Sequence, residues 1–161
     1  MSRHHDVIVI GAGPAGLAAG ACLAEMGLDT LVLDEQERPG GQIYRNIERA
    51  PQERLKALGE DYAKGLELAG RFRKSGAAYE NCAHVWQVEP DGRACYSRSG
   101  KSSEVKANFI ILATGAMERP VPIPGWTLPG VMGAGAANNL AKEAGLNPAG
   151  RVVLAGSGPL L

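Results

Sequence analysis

Two apolar runs with a helical segment between them stand near the beginning of the chain. Val7 to Ile10 form a continuous run of branched apolar residues, which is typical of a strand buried on both faces of a parallel sheet. The residues from Pro14 to Met26 favour a helix, and Gly27 is a natural stop for it. The segment "TLVLDE" then predicts a second buried strand. The pattern therefore predicts a strand–helix–strand unit of an α/β fold.

The middle of the chain changes from a helical pattern to an alternating one. Apolar residues recur at three- and four-residue steps in "PQERLKALGEDYAKGLELAGRFRKSG", which predicts one amphipathic helix that Gly59 and Gly65 weaken. "AHVWQVE" and "ACYSRSG" alternate on either side of the turn "PDG" and predict two antiparallel strands. "SEVKANFIILATG" predicts the strand that follows. We expect a small β-meander inserted into a doubly wound parallel sheet.

The composition changes after Gly115. Four prolines in "ERPVPIPGWTLPG" fix φ and remove N–H donors, which predicts an extended connector. "MGAGAANNLAKEAG" predicts a modest helix, and "RVVLAGSGPLL" predicts a strand and a glycine turn. Gly156 and Gly158 match the first two positions of a second nucleotide fingerprint, whereas Leu161 stands at the third. We therefore expect an N-terminal domain over residues 1–116, a proline-rich connector over 117–132, and the incomplete start of a second domain over 133–161.

Three glycines at G-x-G-x-x-G spacing follow the first strand and carry the first candidate chemistry. Gly11 permits a tight turn out of the strand, Gly13 lets the backbone approach a pyrophosphate, and Gly16 lets the helix pack closely on the strand. The N-terminus of that helix would direct free N–H groups and the positive end of its dipole at the phosphates. We expect the phosphate-binding residues to be Gly11, Ala12, Gly13, Pro14, Ala15 and Gly16.

An acidic residue ends the second strand, where the ribose of a dinucleotide would lie. Asp34 stands about 20 residues beyond the glycines, which is the position of the ribose-binding acid in such units. Its carboxylate can accept hydrogen bonds from both ribose hydroxyls and would repel a 2′-phosphate. Glu35 is the neighbouring candidate for this role. The alternative is a structural strand–helix–strand unit that binds nothing.

Composition and charge narrow the class of protein. The 161 residues include 17 basic and 17 acidic residues, so neither nucleic acid nor an anionic membrane is indicated as a partner. The apolar N-terminal run is too short to span a bilayer, and we expect a cytoplasmic protein. Cys22, Cys82 and Cys95 form no CxxC pair and indicate no metal site. We expect Cys22 to lie in the core, and "RHH" before Asp6 to be a loose terminus.

The loop after the second strand gives the first resemblance to a known family. "GAGPAG", "RPGGQIYR" and "FIILATGA" together resemble flavoproteins that contain two dinucleotide-binding domains. The resemblance implies a Rossmann-like FAD/NAD(P)-binding fold, in which the N-terminal unit binds the ADP half of FAD. It also implies flavin-side contacts in this loop and at the end of the later strand, and a backbone contact to adenine from His84 or Val85. The residues that these contacts would involve are Gly40, Gly41, Gln42, Val85, Ala113, Thr114 and Gly115.

Two longer segments resemble a narrower group. "VLDEQERPGGQIYR" and "ATGAMERPVPIPGWTLPGVMGAGAANNL" are similar to a group of flavoprotein subunits from hydrogen cyanide synthase, from octopine or nopaline oxidase, and from heterotetrameric sarcosine oxidase, where the alpha subunit is meant. This resemblance implies the FAD-binding portion of an amine or amino-acid dehydrogenase or oxidase complex with other subunits as partners. Glutathione reductase relatives carry redox cysteines soon after the "GG" loop, but none lies between Gly40 and Arg49. The CxxC of thioredoxin reductases is also missing.

Three functions stay open on the sequence alone. The first is an FAD-dependent oxidoreductase that acts on a C–N bond or relays electrons for a partner subunit. The second is an NAD(P)H-dependent flavin reductase with the same domain plan, and the third is a non-catalytic piece that only binds nucleotide weakly or assembles with partners. The sequence identifies no catalytic residue. Because the second fingerprint lacks its helix, we expect residues 151–161 to bind no NAD(P)H and to self-associate or join a partner chain.

Overall fold

Residues 3–156 are described in this computed structural model, and they divide between two units of the chain, Met1–Gly115 and Ala116–Leu161. The strands of the first unit are β1 (Arg3–Ile10), β2 (Thr30–Leu33), β3 (Ala78–Glu80), β4 (His84–Val88), β5 (Arg93–Arg98) and β6 (Lys101–Leu112). Its helices are α1 (Pro14–Glu25), α2 (Gln52–Leu58) and α3 (Glu60–Lys74), with a 3₁₀ turn at Ile47–Arg49.

The six strands form one sheet in the order β3-β2-β1-β6-β5-β4. The pairs β3–β2, β2–β1 and β1–β6 are parallel, whereas β6–β5 and β5–β4 are antiparallel. The expected α/β fold with a mostly parallel sheet and a β-meander is therefore confirmed. In the register of the sheet, Ile10 lies opposite both Leu33 and Leu112. The carboxyl ends of β1, β2 and β6 consequently meet at one edge of the sheet.

The unbroken apolar run of β1 follows from burial on both of its faces. Val7 and Val9 pack on one side with α1 and α3, where Phe72 is almost completely buried. Ile8 and Ile10 pack on the other side with β2 and with residues of the meander. A strand that has a core on each side cannot alternate apolar and polar residues.

The long helix predicted over residues 51–76 is wrong, because two helices occupy that segment. Gly59 separates α2 from α3 with φ 84° and ψ 177°, a conformation outside the helical region. Positive φ is accessible to glycine at little cost, so the chain turns at this position. Gly65 remains inside α3.

Two expectations about the N-terminal region are also wrong. "RHH" is the beginning of β1, because β6 is long enough for Arg3 to pair with Val105 and His5 with Ala107. His5 is buried, with its Nδ1 3.0 Å from Oδ1 of Asp29. Cys22 is exposed on α1, since the buried face of this helix is formed by Leu17 and Ala21 among others.

The second unit contains one helix among its described residues, α4 (Ala134–Ala144), as the sequence predicts. A carboxylate oxygen of Glu118 accepts a hydrogen bond from the N–H of Gly135 at 3.0 Å, at the beginning of this helix. The strand predicted in "RVVLAG" is wrong, because residues 151–156 form no strand. These residues are exposed, and a strand requires a neighbour to satisfy its N–H and C=O groups. Gly158 and Leu161 lie outside the described residues.

Within the described part of the chain, no helix is both long and apolar enough to cross a membrane.

We expect Phe72→Ala to lower the free energy of unfolding by about 3–5 kcal/mol, because it removes a buried ring from between α1, α3 and the sheet. Urea unfolding followed by circular dichroism measures this change. Leu66→Ala on the same helix is the control, since Leu66 is 42% exposed and should cost about 1 kcal/mol or less. Equal losses in both variants would contradict this placement of the core.

Candidate dinucleotide site

Gly11 makes the turn that leaves β1. Its φ is +103°, and its N–H donates to the carbonyl of Leu33 at 2.8 Å. A Cβ at this position would run into the backbone carbonyl of Ala113 at the end of β6. Only glycine satisfies both the dihedral angle and the close approach. The turn is thereby fixed between the ends of β2 and β6.

The other two glycines of the fingerprint meet different surroundings. A Cβ at Gly16 would overlap the carbonyl of Gly11, so Gly16 lets α1 approach the turn closely. A Cβ at Gly13 would have one neighbour within 4 Å, the Cα of Gly41 at 3.9 Å. The described residues therefore leave room above Gly13. This room suits a group that must come close to the backbone, such as a pyrophosphate.

The first turn of α1 presents backbone donors to that space. Gly13 is the N-cap residue with no side-chain hydrogen bond at the cap, and Pro14 follows it in the first turn. The first bond within the helix runs from the N–H of Leu17 to the carbonyl of Gly13 at 2.9 Å. The N–H groups of Ala15 and Gly16 precede it. No acidic side chain occupies this first turn, so the positive end of the helix dipole is available to an anion.

Asp34 joins the end of β2 to the fingerprint. The residue is 8% exposed. Its Oδ2 accepts a hydrogen bond from the N–H of Ala12 at 2.5 Å, and its Oδ1 accepts one from the N–H of Gln36 at 2.8 Å. Burial raises the pKa of Asp34 above its ordinary value, and these two hydrogen bonds act in the opposite direction. A carboxylate has about four lone-pair sites, so it can still accept hydroxyl donors.

Glu35, the other candidate acid, has a different environment. Its side chain is 65% exposed, with a carboxylate oxygen 3.9 Å from Nδ1 of His84. Its other carboxylate oxygen accepts a hydrogen bond from the side chain of Gln36 at 3.1 Å, whereas the N–H of Ala12 donates to Asp34. Of the two acids, Asp34 is therefore the one built into the turn.

The loop after β2 lies directly against the fingerprint. The N–H of Gly40 donates to the carbonyl of Ala12 at 2.8 Å. Gly41 has φ +57°, and a Cβ there would be 2.7 Å from the Cα of Gly13. The two backbones thus touch, as glycine at both positions allows. The side chain of Gln42 is exposed beside this contact.

The remaining sequence-predicted residues lie on two other strands. The N–H of Ala113 donates to the carbonyl of Ile10 at 2.8 Å, which brings the end of β6 beside the turn. Thr114 and Gly115 follow it and are exposed. Val85 is half-buried on β4 and packs against the core of the meander side. The structure therefore brings the fingerprint, Asp34, the glycine loop and Ala113 together, and it places Val85 in the antiparallel part of the sheet.

Sequence reasoning missed the residues that support the glycine loop. The ring of Tyr44 packs on Gly65 of α3, and the hydroxyl of Tyr62 donates to the carbonyl of Arg45 at 2.7 Å. The single available signal was a glycine inside an otherwise helical segment, which suggests close packing at that position.

The fold is similar to that of a solved dehydrogenase structure. The crystal structure of L-proline dehydrogenase from P. horikoshii matches with a TM-score of 0.67 and 23% sequence identity, over 88% of this chain and 29% of that chain. At this identity the match supports the fold alone.

Three curated relatives match at higher identity. An opine oxidase subunit of Agrobacterium tumefaciens is 50% identical over all of this chain and 34% of its own length. The HcnB subunit of hydrogen cyanide synthase from Pseudomonas aeruginosa is 38% identical over 96% of this chain and 34% of its own length. The alpha subunit of sarcosine oxidase from Corynebacterium sp. is 31% identical over 94% of this chain and 17% of its own length. The resemblance expected from the sequence is confirmed, and the chain spans about a third or less of each relative's length.

A family model covers nearly the whole chain. The model described as pyridine nucleotide-disulphide oxidoreductase matches residues 5–160. Together with the turn, the helix N-terminus and the sheet order, this match shows that the chain belongs to the pyridine nucleotide-disulphide oxidoreductase family.

Proposed function

We propose that this chain is the FAD-binding portion of an oxidoreductase and that the turn after β1 holds the ADP half of FAD. The observation that carries the proposal is the space above Gly13, which is bordered by the N-terminus of α1 and by the buried carboxylate of Asp34. A pyrophosphate requires close backbone approach and N–H donors, and a ribose requires acceptors. The residues present fit both parts of the cofactor.

Each element of the site has its own role in this proposal. The turn and helix residues (Gly11, Ala12, Gly13, Pro14, Ala15 and Gly16) bind the pyrophosphate, and Asp34 accepts from the ribose hydroxyls. Gly41 and Gln42 line the flavin side of the phosphates, with Ala113, Thr114 and Gly115 at the end of β6, and the backbone near Val85 contacts adenine. FAD would supply the redox chemistry, while the protein binds and orients it.

The substrate class that we propose for the whole protein is an amine or amino acid oxidised at a C–N bond. The support is the 50% identity to a protein named as an opine oxidase subunit and the 31% identity to one named as the alpha subunit of sarcosine oxidase. An NAD(P)H-dependent disulfide reductase is less well supported, because the cysteines are Cys22, Cys82 and Cys95 and no two form a CxxC pair.

We also propose that the chain works with other subunits. Two of the relatives' names describe a subunit of an oxidase, and a third describes a subunit of a synthase. Size-exclusion chromatography with light scattering, and co-purification from the native source, test this proposal. A protein that is monomeric and co-purifies with no other chain would contradict it.

Gly13→Val should abolish FAD binding, because a branched side chain would fill the space that the pyrophosphate needs. Flavin fluorescence titration of the purified protein measures the affinity. Gly27→Ala is a control at a glycine distant from the site, where an ideal Cβ has nothing within 4 Å. Its φ of +86° makes it the harsher change for the backbone, so FAD retention in this variant would show that backbone strain alone does not remove the cofactor. Full FAD affinity in Gly13→Val would contradict the site.

Asp34→Ala should weaken FAD binding by about one to two decades, since charged hydrogen bonds are worth roughly 1.5–3 kcal/mol. Glu35→Ala is the matched control, because this neighbouring acid is exposed and should leave the affinity unchanged. The same titration compares the two variants. If Glu35→Ala weakens binding and Asp34→Ala does not, the ribose-binding acid is Glu35.

The affinity for FAD should fall on acidification within a range that begins above the ordinary aspartate value. Burial raises the pKa of Asp34 from 3.8 in the free protein, so its carboxyl takes up a proton at a higher pH than an exposed aspartate does. The protonated group has lost acceptor capacity toward ribose hydroxyls. Titrations from neutral to acid pH should show this step in the unchanged protein. Its persistence in Asp34→Asn would assign the step to another group.

A further inference from the structure

The loop at Gly40–Gln42 is held in place by contacts outside the fingerprint. The N–H of Tyr44 donates to the carbonyl of Gly40 at 2.9 Å, which closes the loop into one turn. Gly40 has φ +129°, and a Cβ there would run into the carbonyl of Tyr44. The position of Tyr44 therefore fixes the conformation of the glycines that touch Gly13.

Tyr44 in turn rests on the middle of α3. An ideal Cβ at Gly65 would lie 2.5 Å from both Cγ and Cδ1 of the Tyr44 ring. Real Cβ atoms do not approach a ring atom so closely, so the ring packs on the bare backbone of the helix. The missing side chain at Gly65 is what allows this seat.

The residues that follow Tyr44 are fastened to the same helix. The Tyr62 hydroxyl donates to the carbonyl of Arg45 at 2.7 Å. Arg73 donates two hydrogen bonds to the carboxylate of Glu48, at 2.9 and 3.0 Å. Ile47 is fully buried in a cluster with residues of α2 and α3. The segment therefore cannot shift without disturbing α3.

The opposite wall of the site is also in contact with α3. Phe72 lies against Gly20 of α1, where an ideal Cβ would be 3.1 Å from Cε2 of its ring. Arg71 donates to both carboxylate oxygens of Glu25 on α1. One helix thus contacts both the helix whose N-terminus faces the phosphate space and the loop that lies across from it.

We infer that Tyr44, seated on Gly65, is a positioning residue that sets the gap between the Gly40–Gln42 loop and Gly13. This gap determines how tightly and in which orientation a dinucleotide is held. Tyr44 acts through Gly40 and Gly41 rather than by touching the cofactor. The inference deepens the proposed function, on which its cofactor-binding part rests.

Gly65→Ala tests the inference, because its methyl group would displace the Tyr44 ring. Gly70→Ala is the matched control: it lies on the same helix, it gains the same helix propensity, and an ideal Cβ there has nothing within 4 Å. We expect Gly65→Ala to weaken FAD binding by about tenfold or more, and Gly70→Ala to stay within about twofold. The visible circular dichroism of the bound flavin should change in the first variant alone.

Variants of Tyr44 separate positioning from general stability. Tyr44→Phe keeps the ring and should bind FAD as the unchanged protein does, whereas Tyr44→Ala should weaken binding to the same degree as Gly65→Ala. In the double variant the two losses should not add, because they remove one contact. If Gly65→Ala does not fold, the pair Tyr44→Phe and Tyr44→Ala carries the same comparison. Additive losses, or equal losses in Tyr44→Phe and Tyr44→Ala, would overturn the inference.

Amide hydrogen exchange without cofactor distinguishes this inference from the proposed function. Exchange at residues 40–44 should accelerate in Gly65→Ala and not in Gly70→Ala, whether or not FAD binds. Absence of FAD binding in the unchanged protein would refute the proposed function while these exchange rates still decide the role of Tyr44. Equal exchange in the two glycine variants would show that Tyr44 does not hold the loop.

Discussion

A single residue, Ala12, ties together the three backbone segments that surround the candidate site. Its N–H donates to the carboxylate of Asp34 at the end of β2, and its carbonyl accepts from the N–H of Gly40 in the glycine loop. Ala12 itself is fully buried at the turn out of β1. The geometry of the phosphate space depends on these two hydrogen bonds, because they fix both neighbours of the turn at once. The elements farther away serve to keep these partners in place.

The burial of Asp34 gives this arrangement its character. A carboxylate removed from water is costly unless it is hydrogen-bonded, and here two backbone N–H groups supply those bonds. The bonds use donors that would otherwise be unpaired in the turn. The same charge therefore completes the folded turn and remains able to accept further donors. Structure and recognition are consequently not separable at this residue.

Much of the fold could be predicted because its signals are local. The run Val7–Ile10, the glycine spacing and the alternation in β4 and β5 each follow from the periodicity of a strand or helix. The errors concern places where tertiary contacts decide. The beginning of β1 depends on the length of β6, and the break at Gly59 depends on a dihedral angle that the apolar period does not report. The seat of Tyr44 on Gly65 joins residues that are far apart along the chain.

β6 pairs with two different neighbours along its length. Residues 101–106 are antiparallel to β5, and residues from Val105 to Leu112 are parallel to β1. An insertion within the strand would reverse the facing of every later side chain and move the segment at Ala113 by about 3.3 Å per residue. The turn at Ser99–Gly100, in contrast, precedes all of this pairing and has positive φ at both residues. Insertions such as a peptide tag or a fluorescent label should therefore be tolerated at that turn, and the strand beyond it should accept none.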